Sequence, residues 1–190
     1  DVADIHYLPG RHMQASDLAT ADALLVRSVT QVNATLLAGS AVKFVGSCTI
    51  GTDHIDLPFL KQQGIAFANA PGCNADAVVD YVLSALLSIN PALSHWQKSQ
   101  GVIVGFGEVG SRLHKRLQGL GINAFICDPF KAQHNATNEI INQADWISLH
   151  VPLTKAGPHA TEGLFDKKRL VLLKQGALLI NSSRGKVVDN

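Results

Sequence analysis

The sequence predicts an α/β protein with two doubly wound parallel sheets, and three observations carry that expectation. Short apolar, β-branched runs alternate with helix-length segments along the 190 residues, which is the pattern of repeated βαβ units. A glycine-spaced turn, Gly105-Phe106-Gly107-Glu108-Val109-Gly110, directly follows one of those runs and opens an amphipathic helix. Apolar residues make up 46% and charged residues 16% of the chain, a balance that supports buried cores and excludes disorder for most of its length.

The elements follow in order. A strand is expected over 23–26, a short helix over 33–37 closed by Gly39, and a second strand over 42–45. A helix over 57–63 stops at Gly64, and a third strand covers 65–68. From 76 to 89 the residues Val78, Val79, Val82, Leu83, Leu86 and Leu87 recur at helical spacing, and Asn90-Pro91 ends the run. This helix reads as a bridge between two lobes, 1–92 and 93–190. Residues 94–100 are polar and loop-like. A second series then runs strand 102–104, helix 109–120, strand 124–127, polar helix 137–143, strand 146–149, a helical stretch over 164–174 and strand 177–180.

Charge and cysteine usage narrow the function classes. Sixteen basic and fifteen acidic residues leave a net charge of +1, with no excess to neutralise nucleic acid or an anionic bilayer. Cys48, Cys73 and Cys127 are odd in number and form no C-x-x-C pair, so neither a disulfide framework nor a thiolate zinc site is implied and a reducing cytoplasm is the expected compartment. No apolar run reaches the length of a membrane span. The chain opens on Asp1-Val2-Ala3-Asp4, without a signal peptide's basic start, and Met13 is its only methionine; it is expected to be a portion of a longer protein.

In the glycine motif the first glycine permits the tight turn, the second lets a pyrophosphate approach the backbone, and the third lets helix and strand pack closely. Asp128 lies eighteen residues beyond Gly110, directly after a strand, where a carboxylate accepts from ribose hydroxyls and disfavours a 2′-phosphate. NAD is therefore expected over NADP, the alternative for Asp128 being a turn residue before Pro129. Ligands of open α/β sheets gather at the carboxyl ends of the strands, where this sequence places Arg27-Ser28, Thr49, Asn74, His150-Val151 and Ser182-Ser183-Arg184. The guanidinium of Arg184 suits a carboxylate or polarised carbonyl, or else a solvated surface position. Arg27 likewise either holds an anion or is solvated. His54, in Gly51-Thr52-Asp53-His54-Ile55-Asp56, reads as part of a capped turn in preference to a metal site. His150 reads either as a general base or, with more weight, as a half-buried bonded histidine.

Three blocks resemble the D-isomer-specific 2-hydroxyacid dehydrogenases: Gly105 to Gly110, His150-Val151-Pro152-Leu153-Thr154, and Leu173 to Asp189, which contains Asn181-Ser182-Ser183-Arg184-Gly185. In the first lobe, Leu25-Val26-Arg27-Ser28-Val29-Thr30, Gly51 to Asp56 and Ala70-Pro71-Gly72-Cys73-Asn74 resemble a branch of that family acting on a phosphorylated 2-hydroxy acid.

The resemblance implies a flavodoxin-like substrate lobe, a Rossmann cofactor lobe, hydride transfer to NAD in a cleft between lobes, and a homodimer. It implies that Arg184 is the catalytic arginine and that Ser28 and Thr49, with Arg27 and Asn74 behind them, bind substrate. It implies cofactor contacts from Gly105, Gly107, Glu108, Val109, Gly110, Asp128, Val151, Ser182, Ser183 and Arg184, and no metal. The family's general base, a histidine oriented by a glutamate, belongs to a portion downstream of Asn190, and His150 does not match it. The stretch 131–142 is shorter and more polar than the family pattern, an expected site of missing residues. Two alternatives accompany this reading: another substrate such as 3-phosphoglycerate or hydroxypyruvate, and a non-enzymatic NAD-sensing module.

Overall fold

The computed structural model describes residues 3–131 and 136–189; part of the short stretch at 131–142 therefore lies outside the described residues. The chain divides into two compact units, one ending at Cys73 and the other beginning at Asn74.

The first unit is built on a parallel sheet of β1 (Ala23–Val26), β2 (Phe44–Ser47) and β3 (Ala66–Asn69), in sequence order. Leu24, Val26 and Val45 enter one core with Leu18, Leu36, Leu37 and Leu60. On the other face Leu25 is 66% exposed. Helix α1 (Leu57–Gln62) starts where the Asp56 carboxylate accepts from the Phe59 N–H at 3.0 Å. It ends at Gly64, whose φ of +68° suits a residue without Cβ.

Two expectations need correction in this unit. Residues 33–37 form turns and not a helix. The Asn33 side chain takes the Leu36 N–H at 3.1 Å, a local bond that competes with helix formation. The second strand runs two residues later than expected, because Val42 is buried outside the ladder while polar Ser47 lies within it.

The second unit contains α2 (Ala75–Ile89), α3 (Leu93–Lys98), β4 (Gly101–Val104), α4 (Glu108–Gly119), β5 (Ala124–Cys127), α5 (Asn138–Asn142), β6 (Trp146–Leu149), α6 (Lys167–Leu170) and β7 (Leu178–Asn181). All four strands are parallel, in the order β5-β4-β6-β7. The chain steps from β4 out to β5 and then returns to the opposite side of β4 as β6. That reversal makes the carboxyl ends of β4 and β6 the switch point where such sheets bind ligands.

Each face of this sheet has its own core. Ile103, Trp146 and Ile180 pack with Leu113 and Leu117 of α4 and with Val79, Val82 and Leu86 of α2. Val102, Val104, Ile147 and Leu149 pack with Ile141, Phe165 and Val187. Replacing Leu113 or Leu117 by Ala would cost about 2–5 kcal/mol, since both are fully buried.

Helix α2 therefore belongs by packing to the second unit, so the compact units part at Cys73 and Asn74, upstream of the expected 92/93 boundary. The expected loop at 94–100 is largely helical. Trp96, 3% exposed, anchors it and donates its indole N–H to the Asn90 carbonyl at 2.8 Å. The expected 164–174 helix shrinks to α6, capped by Asp166 and followed by turns. Among the described residues no helix is long and apolar enough to cross a membrane.

Candidate active site

Strand register brings the polar strand ends of the second unit to one level. Val104 is paired with both Cys127 and Leu149, and Leu149 with Asn181. The next residues in each strand, Gly105, Asp128, His150 and Ser182, therefore stand in a row across the sheet. The ladder extends one step past the strands, with the Gly105 N–H bonded to the Cys127 carbonyl at 2.9 Å and the His150 N–H to the Val104 carbonyl at 2.8 Å.

The three glycines of the turn have different reasons to be glycine. Gly105 has φ +92°, and a Cβ there would run into the His150 carbonyl and reach 3.0 Å from Val151 Cγ1. A Cβ on Gly110 would collide with the Gly105 carbonyl oxygen. On Gly107 a Cβ would meet nothing within 4 Å, so protein packing does not require glycine there, whereas a ligand lying close to the backbone would. Gly107 caps α4 without any side-chain cap bond, and the first N–H groups of a helix have no intrahelical acceptor. Glu108 and Val109 lie in that first turn. The Glu108 carboxylate pairs with Arg112 at 2.9 Å, and Val109 packs against the core, which leaves their backbone N–H groups as the anion-facing chemistry.

Asp128 accepts the Phe106 N–H at 2.8 Å and the Phe130 N–H at 2.9 Å. It is thus both a turn carboxylate and a tie to the glycine loop. An ionised carboxylate has about four acceptor positions, so acceptor capacity remains for ribose hydroxyls.

The loop after β7 is organised by Asn181, a residue named in the sequence only as part of this strand-end block, without a role of its own. Its side chain accepts the Ser183 N–H at 3.0 Å and hydroxyl at 2.7 Å, and donates to the Arg184 carbonyl at 2.9 Å. Arg184 is half-buried, with extended backbone at the start of a short 3-10 turn over Gly185–Val187. Ser182 bonds to the ring of His150, whose other nitrogen bonds to Ser148. Burial pushes the His150 pKa down to about 4. That holds it neutral near pH 7, as a bonded histidine. The sequence signal for this network was Ser148, a hydroxyl inside an otherwise apolar buried strand that needs a partner.

In the first unit, Arg27 and Ser28 are exposed after β1, and Thr49 lies just past β2. Adjacent strands bring them together, with the Cys48 N–H bonded to the Val26 carbonyl at 2.8 Å. Thr49 Oγ1 bonds to Ser47 Oγ at 2.9 Å, and Ser47 bonds to buried His54 at 3.2 Å. Asn74 falls in the second unit, exposed at the start of α2.

Residues 90–190 match the NAD binding domain of the D-isomer specific 2-hydroxyacid dehydrogenases. The chain belongs to that family. Among relatives in the D-2-hydroxyacid dehydrogenase family, an erythronate-4-phosphate dehydrogenase of Pseudomonas fluorescens strain SBW25 is 52% identical over 194 residues, covering 98% of this chain and 51% of that protein. One from Escherichia coli O7:K1 strain IAI39 is 49% identical over 197 residues, covering 100% and 52%. The chain thus spans about half the length of these curated relatives. Among solved structures, NAD+-bound 3-phosphoglycerate dehydrogenase of Entamoeba histolytica has a TM-score of 0.80 at 25% identity, covering 96% of this chain and 62% of that one. D-lactate dehydrogenase of Aquifex aeolicus, complexed with NAD and lactic acid, has a TM-score of 0.78 at 25% identity, covering 94% and 61%.

NAD is the cofactor of the matched domain, and the residues fit it: an open approach at Gly107, which caps the N-terminus of α4, and the Asp128 carboxylate after β5, which has acceptor capacity to spare.

Proposed function

We propose that the protein oxidises 4-phospho-D-erythronate to 2-oxo-3-hydroxy-4-phosphobutanoate with NAD, as a cytoplasmic step of pyridoxal 5′-phosphate synthesis, and works as a homodimer. The observation that carries the chemistry is the single row at the sheet's carboxyl end, with Asp128 and Gly105, which opens the glycine turn, on one side of the switch point and Ser182, which opens the Arg184 loop, on the other. The choice of substrate is supported by identity of about 50% over alignments that cover the first unit as well as the second. The free thiols of Cys48, Cys73 and Cys127 support a reducing compartment.

Oxidation removes a hydride from C2 and a proton from the C2 hydroxyl. When bound, NAD supplies the hydride acceptor at nicotinamide C4. Arg184 contributes a permanently charged planar fork, suited to holding the substrate carboxylate while polarising the C2 oxygen. Its backbone is fixed by Asn181, so the guanidinium starts from a defined position. Gly105, Gly107, Glu108, Val109 and Gly110 cradle the pyrophosphate, and Asp128 selects the unphosphorylated ribose. Val151 packs beside Gly105, and Ser182, Ser183 and Arg184 would contact the cofactor. Ser28 and Thr49, with Arg27 and Asn74, contact the substrate. The proton would go to the family's histidine base, which His150 does not match; the two ring nitrogens of His150 bond to serines.

The test is NADH formation by the full-length protein on a panel of 4-phospho-D-erythronate, 3-phosphoglycerate and hydroxypyruvate. The expected result is a kcat/KM at least about tenfold higher for the first, the difference that 1.4 kcal/mol of preferential binding gives. Preference for another panel member would reassign the substrate. NADH binding without turnover on any of them would favour a sensing module.

A further inference from the structure

Buried Ser148, half-buried His150 and Ser182 form a chain of hydrogen bonds that runs from inside β6 to the loop carrying Arg184. Ser148 Oγ lies 2.9 Å from His150 Nε2, and Ser182 Oγ lies 3.1 Å from His150 Nδ1. Ser182 Oγ also donates to the Leu149 carbonyl, at 3.4 Å. Each hydroxyl has one proton, and a neutral imidazole has one N–H and one acceptor nitrogen. With the Ser182 proton directed at Leu149, Nδ1 must be the donor to Ser182. Nε2 is then the acceptor, and Ser148 donates to it. On that assignment the protons run in one direction, from Ser148 through the ring to Ser182 and on to the β6 backbone.

We infer that His150 is a positioning residue, held as the Nδ1–H tautomer, which fixes Ser182 and through it the placement of the Arg184 loop. The inference rests on the dehydrogenase reading for its effect on turnover, but not for the tautomer. The backbone around the ring is already anchored, by the His150 N–H on Val104 and by the fit of its carbonyl against Gly105. The side chain is therefore the adjustable link between β6 and the β7 loop. Asn181 ties the loop to itself, and the bonds of Ser182 tie it to β6.

Isosteres separate this role from others. An asparagine amide occupies the place of Nδ1 and a glutamine amide the place of Nε2. In the full-length protein, His150→Asn should keep the bond to Ser182 and hold kcat/KM for the hydroxy acid within about threefold of wild type. His150→Gln should keep only the Ser148 bond and lose about 10- to 100-fold, the scale of a misplaced catalytic group. NADH affinity, read by fluorescence titration, should change much less than kcat in both variants. A packing role would affect both isosteres alike and a general-base role would abolish turnover in both, and either pattern would overturn the inference.

Imidazole 15N shifts of the wild-type protein provide the readout independent of activity. A neutral Nδ1–H ring at pH 7 is expected, and an Nε2–H ring or a charged ring would overturn the assignment. Lack of wild-type turnover on every panel substrate, with the Nδ1–H tautomer present, would count against the proposed function and leave the hydrogen-bond assignment standing.

Discussion

The two ends of the second sheet are made of the same strands but do opposite things with their polar groups. At the amino end Asp145 accepts the Gln100 N–H at 2.7 Å, pairs with Lys174, and offers its carbonyl to the Leu178 N–H at 2.9 Å. Gly101 exists there because the Trp146 ring occupies the space of a Cβ, and the indole N–H is taken by Ser99 at 3.1 Å. Each of these groups is accounted for by another part of the protein. At the carboxyl end Gly107 has no packing reason to be glycine, and a guanidinium sits on a loop braced by Asn181 and His150. One end closes the fold, and the other is organised around something the fold itself does not need.

Substitutions on either side should separate stability from activity. The largest effect is expected at Arg184. Arg184→Ala should lower kcat by about 10²- to 10³-fold, the scale of removing one preorganised charge-stabilising donor, while NADH affinity and Tm stay near wild type. Retained turnover would remove Arg184 from the chemistry. Next is a contrast within the glycine turn. Gly110→Ala should lower stability by about 1–3 kcal/mol through overpacking against the Gly105 carbonyl. Gly107→Ala should leave stability within about 0.5–1 kcal/mol of wild type, as at any open site, and weaken NADH binding. Equal effects on stability would contradict the different origins of the two glycines.

A smaller loss is expected at the amino end. Asp145→Ala should cost about 1–3 kcal/mol by leaving the Gln100 N–H unsatisfied, with kcat unchanged. Its bonds to Lys174 and Gln100 hold the Asp145 carboxyl below its usual pKa. The folded-state value is depressed, so this contribution is present above the ordinary carboxylate range and is lost as pH falls through the folded value.

The last contrast is the pH dependence from His150. Burial lowers its pKa from 6.5 to about 4, and the unfolded chain takes up the proton first. Stability from this group is complete above pH 6.5 and declines toward pH 4. Tm measured across that window should fall, and His150→Asn should flatten the decline.

These contrasts also show what the sequence could convey. The second unit was legible because its signals are local: β4 and α4 frame the glycine turn, Asp128 follows β5, and strands 124–127 and 146–149 lie where expected. The errors had different origins. One tryptophan made a helix of a polar segment at α3; the 33–37 helix failed for a local reason, the Asn33 side chain taking the Leu36 N–H three residues on. In the site, Arg184 stood out by residue type. His150 and Ser182 were named singly, but the bond that joins them was not legible, because it depends on which strands lie side by side, and the bracing by Asn181 depends on the conformation of its loop.

The central claim is that this sheet end serves NAD-dependent oxidation of a phosphorylated 2-hydroxy acid. The most direct measurement is steady-state NADH formation by the full-length protein with NAD and 4-phospho-D-erythronate, alongside Arg184→Ala. The account predicts saturable turnover in the wild type and its near-complete loss in the variant, with NADH binding preserved in both. Absence of wild-type turnover in a protein that binds NADH, or equal turnover in the two proteins, would contradict it.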